Sequence, residues 1–281
     1  MSRNPYITVG QEPSLRHSVF VFMDILGYSE LIVQSQNTGT QQTVLRDLHK
    51  ALSESRRRLE GHDLPIEFRK LGKKDFFALK AFTDNIAIGW PVHSDAEVEL
   101  GSACMKLAYF QFEMAIQGYF VRGGISLALA YIDEVAVFGD ALTEAYHGES
   151  KLARDPRIIL TQSAVTAAKK HLDFYSKPSF SPHVRFLLKD ADGQWFLNYL
   201  HSVLIAEYEN GPFYSEFLRH KAAVEVKLAE HSANPSVWAK YAWVANYHNY
   251  FCDLHSKYFD EKHCVNVELF KSPPSLIVDE D

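Results

Sequence analysis

The feature that most limits what this chain can become is Val19-Phe-Val-Phe-Met23, five apolar residues in a row that stop at Asp24. A short, uniformly apolar run of this kind reads as a β-strand covered on both faces. The carboxylate that follows is costly to bury unless something positive meets it. Gly27 then lets the backbone turn tightly into the next element. Alone, Asp24 reads as readily as a helix cap or half of a buried ion pair as it does as a functional, cation-binding acid. A second segment alters that balance. Phe77 to Ile88 is apolar around one acid, Asp84, and predicts a hairpin with Asp84 at or near the bend. Two carboxylates from neighbouring strands, with the Ile25 backbone carbonyl beside them, would form an oxygen-rich cradle suited to Mg2+ or Mn2+.

The rest of the chain supplies the scaffold for such a site. A long helical stretch is expected over 28–59, with a possible break at Asn37-Thr-Gly39, since Asn and Gly weaken a helix interior. Leu100, Cys104, Leu107, Ala108 and Phe112 recur at helical spacing and predict a second helix over 96–118. Val121 to Ile132 is rich in strand formers, and Val135 to Asp140 ends in a Gly-Asp turn that starts another helix. A strand over 157–161 precedes a helix through Lys170, and Asp190-Ala-Asp-Gly193 reads as a hairpin turn. Beyond Gly211 the pattern becomes two long, aromatic-rich helices. Interleaved strands and helices of this order predict an α+β sandwich close to the ferredoxin-like plan, with a β-α-β-β-α-β core. The expected division is a loose lead-in (1–16), a main domain (17–205), a helical C-terminal extension (206–270) and a disordered acidic tail (271–281).

Composition excludes several partners. The net charge of −6 and pI near 6.1 give no global reason to bind nucleic acid or an anionic membrane. Three scattered cysteines, Cys104, Cys252 and Cys264, argue for a reducing compartment rather than a disulfide framework. No leader-type or membrane-spanning apolar run is present, so a cytoplasmic location is expected. His248, His255, His263 and Cys264 match no standard zinc spacing.

Four stretches now stand in order: Phe22-Met-Asp-Ile-Leu-Gly-Tyr-Ser29, Leu79-Lys-Ala-Phe-Thr-Asp-Asn-Ile86, Val121-Arg-Gly-Gly-Ile-Ser126 and Phe138-Gly-Asp-Ala-Leu-Thr-Glu-Ala145. Together they resemble the class III nucleotidyl cyclases over about residues 17–163. That resemblance implies a ferredoxin-like cyclase palm in 17–205, with Asp24, Asp84 and the Ile25 carbonyl holding two Mn2+ or Mg2+ ions per site. Arg122 falls where the family places an arginine on the phosphates, and its planar fork suits that role. The alternative for Arg122 is a strand-end ion pair. The resemblance also implies a homodimer with shared active sites.

The departures bear on substrate. Lys80 stands at the family's base-reading lysine, but the partner acid is replaced by Ala136, the asparagine by Thr143 and the following arginine by His147. Thr143 and His147 thus stand where the resemblance puts the catalytic transition-state pair, and His147 could take over part of that stabilisation. Read without the resemblance, Thr143 and Glu144 are the first turn of a helix and His147 a helix-surface histidine. This pattern is most similar to the Pycsar pyrimidine cyclases of bacterial antiphage defence. It implies conversion of UTP, or of CTP, to the 3′,5′-cyclic monophosphate and pyrophosphate, with the product acting on a separate effector protein. An adenylate cyclase, favoured by Lys80, and a degenerate nucleotide-binding module remain as alternatives.

Overall fold

The computed structural model describes residues 4–7, 12–60, 77–208, 211–266 and 275–277. Its centre is the apolar run, which forms β1 (Arg16–Ile25). The helical stretch that follows is broken in two. The helix α1 (Tyr28–Thr38) ends at Gly39 in the left-handed region (φ 69°), and α2 (Gln41–Leu59) starts afresh. A hairpin of β2 (Ala78–Phe82) and β3 (Asn85–Pro91) comes next, with Thr83 and Asp84 at its bend, as the sequence predicts. Then come α3 (Glu97–Ile116), β4 (Val121–Ile132), the short β5 (Val137–Phe138) and α4 (Asp140–His147). The helix that starts at the Gly-Asp turn does not continue as α-helix beyond His147. It widens into a single π-turn over Gly148–Leu152. Next are β6 (Ile158–Leu160), α5 (Gln162–Leu172) and a hairpin of β7 (Leu187–Lys189) and β8 (Trp195–Leu197). A 3-10 segment over Tyr199–Tyr208 leads to α6 (Tyr214–Glu230) and α7 (Pro235–Leu254), and β9 (Ser275–Leu276) pairs with β7.

The strands form one sheet in the order β2-β3-β1-β4-β6-β8-β7-β9, with β5 hanging from β4. Antiparallel β1 lies between β3 and β4, and β6 joins β4 in parallel. The first four strands thus follow β-α-β-β-α-β in sequence and β2-β3-β1-β4 in space, a mixed architecture with helices against the sheet. The acidic residues 278–281 and Lys70, Lys73 and Lys74, which precede the hairpin, lie outside the described residues.

Period-two alternation sorts the side chains of β1 between two layers. Val19, Val21, Met23 and Ile25 enter the larger core with residues of α2, α3 and α7, whereas Phe20 and Phe22 face a smaller cluster containing Ala87, Ala130, Ala141 and Ala145. Burial on both faces agrees with the uniformly apolar run. Asp24 shares the face of Phe20 and Phe22, toward α4 and its π-turn. Among the described residues no helix is long and apolar enough to cross a membrane.

Candidate active site

Backbone register places the site. Asp24 stands directly opposite Arg122 on β4 and Asn85 on β3, and the Ile25 amide donates to the Asp84 carbonyl at 3.1 Å. The end of β1, the β2–β3 bend and the start of β4 therefore meet at one corner of the sheet. Arg122 clasps Asp24 in a fork: Nε donates to Oδ1 at 2.9 Å and Nη2 to Oδ2 at 3.0 Å. The Asp84 carboxylate accepts from the Asn85 side-chain amide at 3.1 Å, with the Thr83 hydroxyl 2.8 Å away. Thr83 pays for the tight bend with a positive φ of 57°.

One residue of this corner was not anticipated. Glu149, on the π-turn and 4% exposed, places Oε1 2.8 Å from Nη2 of Arg122, an ion-pair distance without the alignment of a hydrogen bond. Two glycines bring it there. A Cβ on Gly124 would collide with the Ala145 carbonyl, and one on Gly148 would press against Thr161 and Gly124. Without side chains at 124 and 148, the end of α4 settles directly on β4, and the next residue reaches Arg122. Burial, and then the Asp24 carboxylate, push Glu149 up to about 7; Arg122 pulls the other way, and Asp84 adds a smaller upward push. The hydrogen bond with Asp24 in turn raises Arg122 above its ordinary value. Two acids, Asp24 and Glu149, thus share one guanidinium.

The other expected residues divide. Lys80 of β2 lies on the same face of the sheet as Asp24 and Arg122, since Ala78 packs in the smaller cluster and side chains alternate. Near it is Asp133, a second residue the sequence reading missed. Asp133 is held below the ordinary carboxylate range by the Tyr131 hydroxyl and the Ala136 amide, with the Lys80 charge contributing. Its oxygens accept from Tyr131 at 2.6 Å and from the Val135 and Ala136 amides at 2.8 and 2.7 Å. Ala136 itself is an exposed turn residue. Thr143 and His147 are exposed, one turn apart on α4. Neither makes a described contact with Asp24 or Arg122. Glu144 is structural, accepting from the amide (3.0 Å) and hydroxyl (2.8 Å) of Ser163 at the start of α5.

For a divalent cation the donors are of the right kind: Asp24, Asp84 and the Ile25 carbonyl offer only hard oxygen. Among the described residues no three or more His, Cys, Asp or Glu side chains are grouped to hold a metal. A cation here would rest on two carboxylates and backbone, as Mg2+ does when phosphate oxygens complete its shell. His248 offers nothing to zinc, because Nδ1 meets His220 and Nε2 meets the His263 carbonyl, each at 2.9 Å.

No protein-family model and no curated protein matches the chain. Among solved structures it is similar to a class III adenylyl cyclase-like ATP-binding protein from Pseudomonas aeruginosa, with 14% identity and a TM-score of 0.40. The match covers 58% of this chain, which spans 37% of that protein's length. So loose a likeness leaves the function to be argued from the site.

Proposed function

We propose that this chain is a metal-dependent nucleotidyl cyclase of the class III type, acting on a pyrimidine nucleoside triphosphate and preferring UTP. The observation that carries this reading is the register that gathers Asp24, the Asp84 bend and Arg122 at one sheet corner. In the reaction the ribose 3′-oxygen attacks the α-phosphorus, the bond to the bridging oxygen breaks, and pyrophosphate leaves. Asp24, Asp84 and the Ile25 carbonyl would hold the two divalent ions. Bound there, Mn2+ or Mg2+ supplies charge that lowers the pKa of the 3′-hydroxyl and stabilises the leaving pyrophosphate. Arg122 contributes its fork to charge developing on the phosphate oxygens.

The Lys80–Asp133 neighbourhood supports uracil. Asp133 already accepts three hydrogen bonds, so it is poorly placed to receive an exocyclic amine. Lys80 has only donors and therefore suits a base carbonyl, of which uracil offers two and cytosine one. Thr143 and His147, exposed on α4, would reach a site only across a homodimer with shared sites. Exposed Phe82, Leu129 and Tyr146 lie on β2, β4 and α4, the elements that carry Lys80, Arg122, and Thr143 with His147, and exposed Phe138 lies on β5 beside β4; such apolar surface favours a second copy. As the likeness to pyrimidine cyclases of antiphage defence implies, the cyclic product would serve as a second messenger to a separate effector in the cytoplasm.

A second reading, a nucleotide-binding module without turnover, draws on the Arg122 fork, which holds both oxygens of Asp24. Incubation with each of the four ribonucleoside triphosphates and Mn2+, followed by chromatography, separates the two. The cyclase reading expects cyclic UMP and pyrophosphate from UTP. Nucleotide recovered unchanged in all four reactions would overturn it.

A further inference from the structure

Arg122 and Glu149 carry an inference that rests on the metal-and-triphosphate reading above and goes beyond it. We propose that Arg122 makes cation capture at Asp24 conditional on a polyanion, with Glu149 as the positioning residue that keeps the guanidinium within reach of both. The Arg122–Asp24 pair is set by direct cross-strand register rather than by a loop, so the two groups meet in the nucleotide-free protein. The fork engages both carboxylate oxygens, at 2.9 and 3.0 Å, and presents a fixed positive charge where a cation must approach. A divalent ion arriving alone therefore competes with a guanidinium already seated. A triphosphate changes the balance, because its oxygens accept the same planar fork and carry more charge than one carboxylate. Transfer of Arg122 to the polyanion releases the Asp24 oxygens.

Glu149 explains why the exchange needs no long excursion. Its Oε1 lies 2.8 Å from the Nη2 that also serves Asp24, but without hydrogen-bond alignment. Glu149 thus attracts the guanidinium without locking it. By linkage, a polyanion that tightens cation binding must itself bind more tightly when the cation is present.

Equilibrium dialysis of the full chain tests this, with Mn2+ alone and with Mn2+ plus inorganic tripolyphosphate, a probe that has no base or ribose. The proposal expects wild type to retain Mn2+ at least tenfold more tightly when tripolyphosphate is present. Arg122→Gln should retain Mn2+ alone several-fold more tightly than wild type and lose most of the tripolyphosphate dependence. Arg122→Lys keeps the charge but loses the planar two-point fork, and should fall between; it serves if the glutamine variant does not fold. Glu149→Gln should leave Arg122 seated more firmly on Asp24 and weaken retention of Mn2+ alone. If Asp84→Asn reduces retention but the Arg122 variants match wild type under both conditions, the proposal is wrong and the cation reading stands. If no variant or condition gives retention that Asp84→Asn diminishes, the cation reading falls and takes the proposal with it.

Discussion

Asp24 shows how a strand converts into a site. Four alternating residues of β1 enter the main core, and the fixed period of the strand puts Asp24 on the opposite face, against Arg122. The same logic places Lys80 on that face, and it gives a prediction about base choice. A lysine directed at a base carbonyl that meets an amino group instead loses a hydrogen bond, worth about 1–3 kcal/mol. UTP should therefore be cyclised several-fold better than CTP, and both better than ATP or GTP, in a competition assay. Lys80→Ala should flatten the ranking while leaving Mn2+ retention intact; an unchanged ranking would show that the lysine points elsewhere. Asp24, Asp84 and Arg122 were legible in the sequence because each interrupts or opens an apolar strand. Glu149 was not, because nothing in Gly148-Glu149 marks a π-turn, and helix periodicity predicts an ordinary last turn. Its signal was indirect: Gly124 and Gly148 permit a close approach that places the next residue at the site. Asp133 was hidden by its ordinary place in a turn.

At the scale of elements, the C-terminal helices are joined to the sheet by buried polar groups. Arg157, 1% exposed at the start of β6, is paired with Asp190 and Asp192 of the β7–β8 hairpin, and Trp243 of α7 donates to Asp190 at 2.7 Å. These contacts seat the aromatic-rich helix α7 on the main domain. Removing the cation would leave two acids without their counter-charge, so Arg157→Ala should cost about 3–5 kcal/mol in denaturant unfolding. A loss below 1 kcal/mol would contradict that role.

A second connection runs through histidines. His248 must donate from Nε2 to the His263 carbonyl, so its Nδ1 accepts from His220 Nδ1, and His220 Nε2 accepts from the Tyr199 hydroxyl. Both rings are neutral in that arrangement. Burial lowers His183, His201 and His248 to about 4 and His220 well below its ordinary 6.5. The unfolded chain therefore binds more protons than the folded one between about pH 4 and 6.5. Stability contributed by these groups is present above 6.5 and is lost as pH falls through that window. Glu149, raised, acts in the opposite direction, but it is one group against four. Melting temperature should fall from pH 7 to pH 5, and His248→Gln should reduce the slope. A melting temperature that rises on acidification would refute this assignment.

On the scale of the whole molecule, one sheet carries the candidate site at a corner and an apolar rim beside it. Phe82 is 71% exposed and Phe138 63% exposed, on β2 and β5. If that rim joins two copies, Phe138→Glu should shift the protein toward monomer in light scattering, and wild-type specific activity should fall on dilution. Constant specific activity from a monomer would contradict the shared site. The interleaving of strands and helices, and the placing of Asp24 and Asp84 on neighbouring strands, were legible as patterns in the sequence; the order of the strands in space was not, because tertiary contacts choose the pairing partners. The most direct test of the central claim compares wild type with Asp84→Ala for cyclic nucleotide formed from UTP at saturating Mn2+. Asp84 lies at a hairpin bend rather than in the core, so the variant should keep its fold. The account predicts a loss of about 100-fold or more, the scale seen when charge stabilisation is removed from a transition state. Turnover equal to wild type in the folded variant would show that this corner is not where the chemistry occurs.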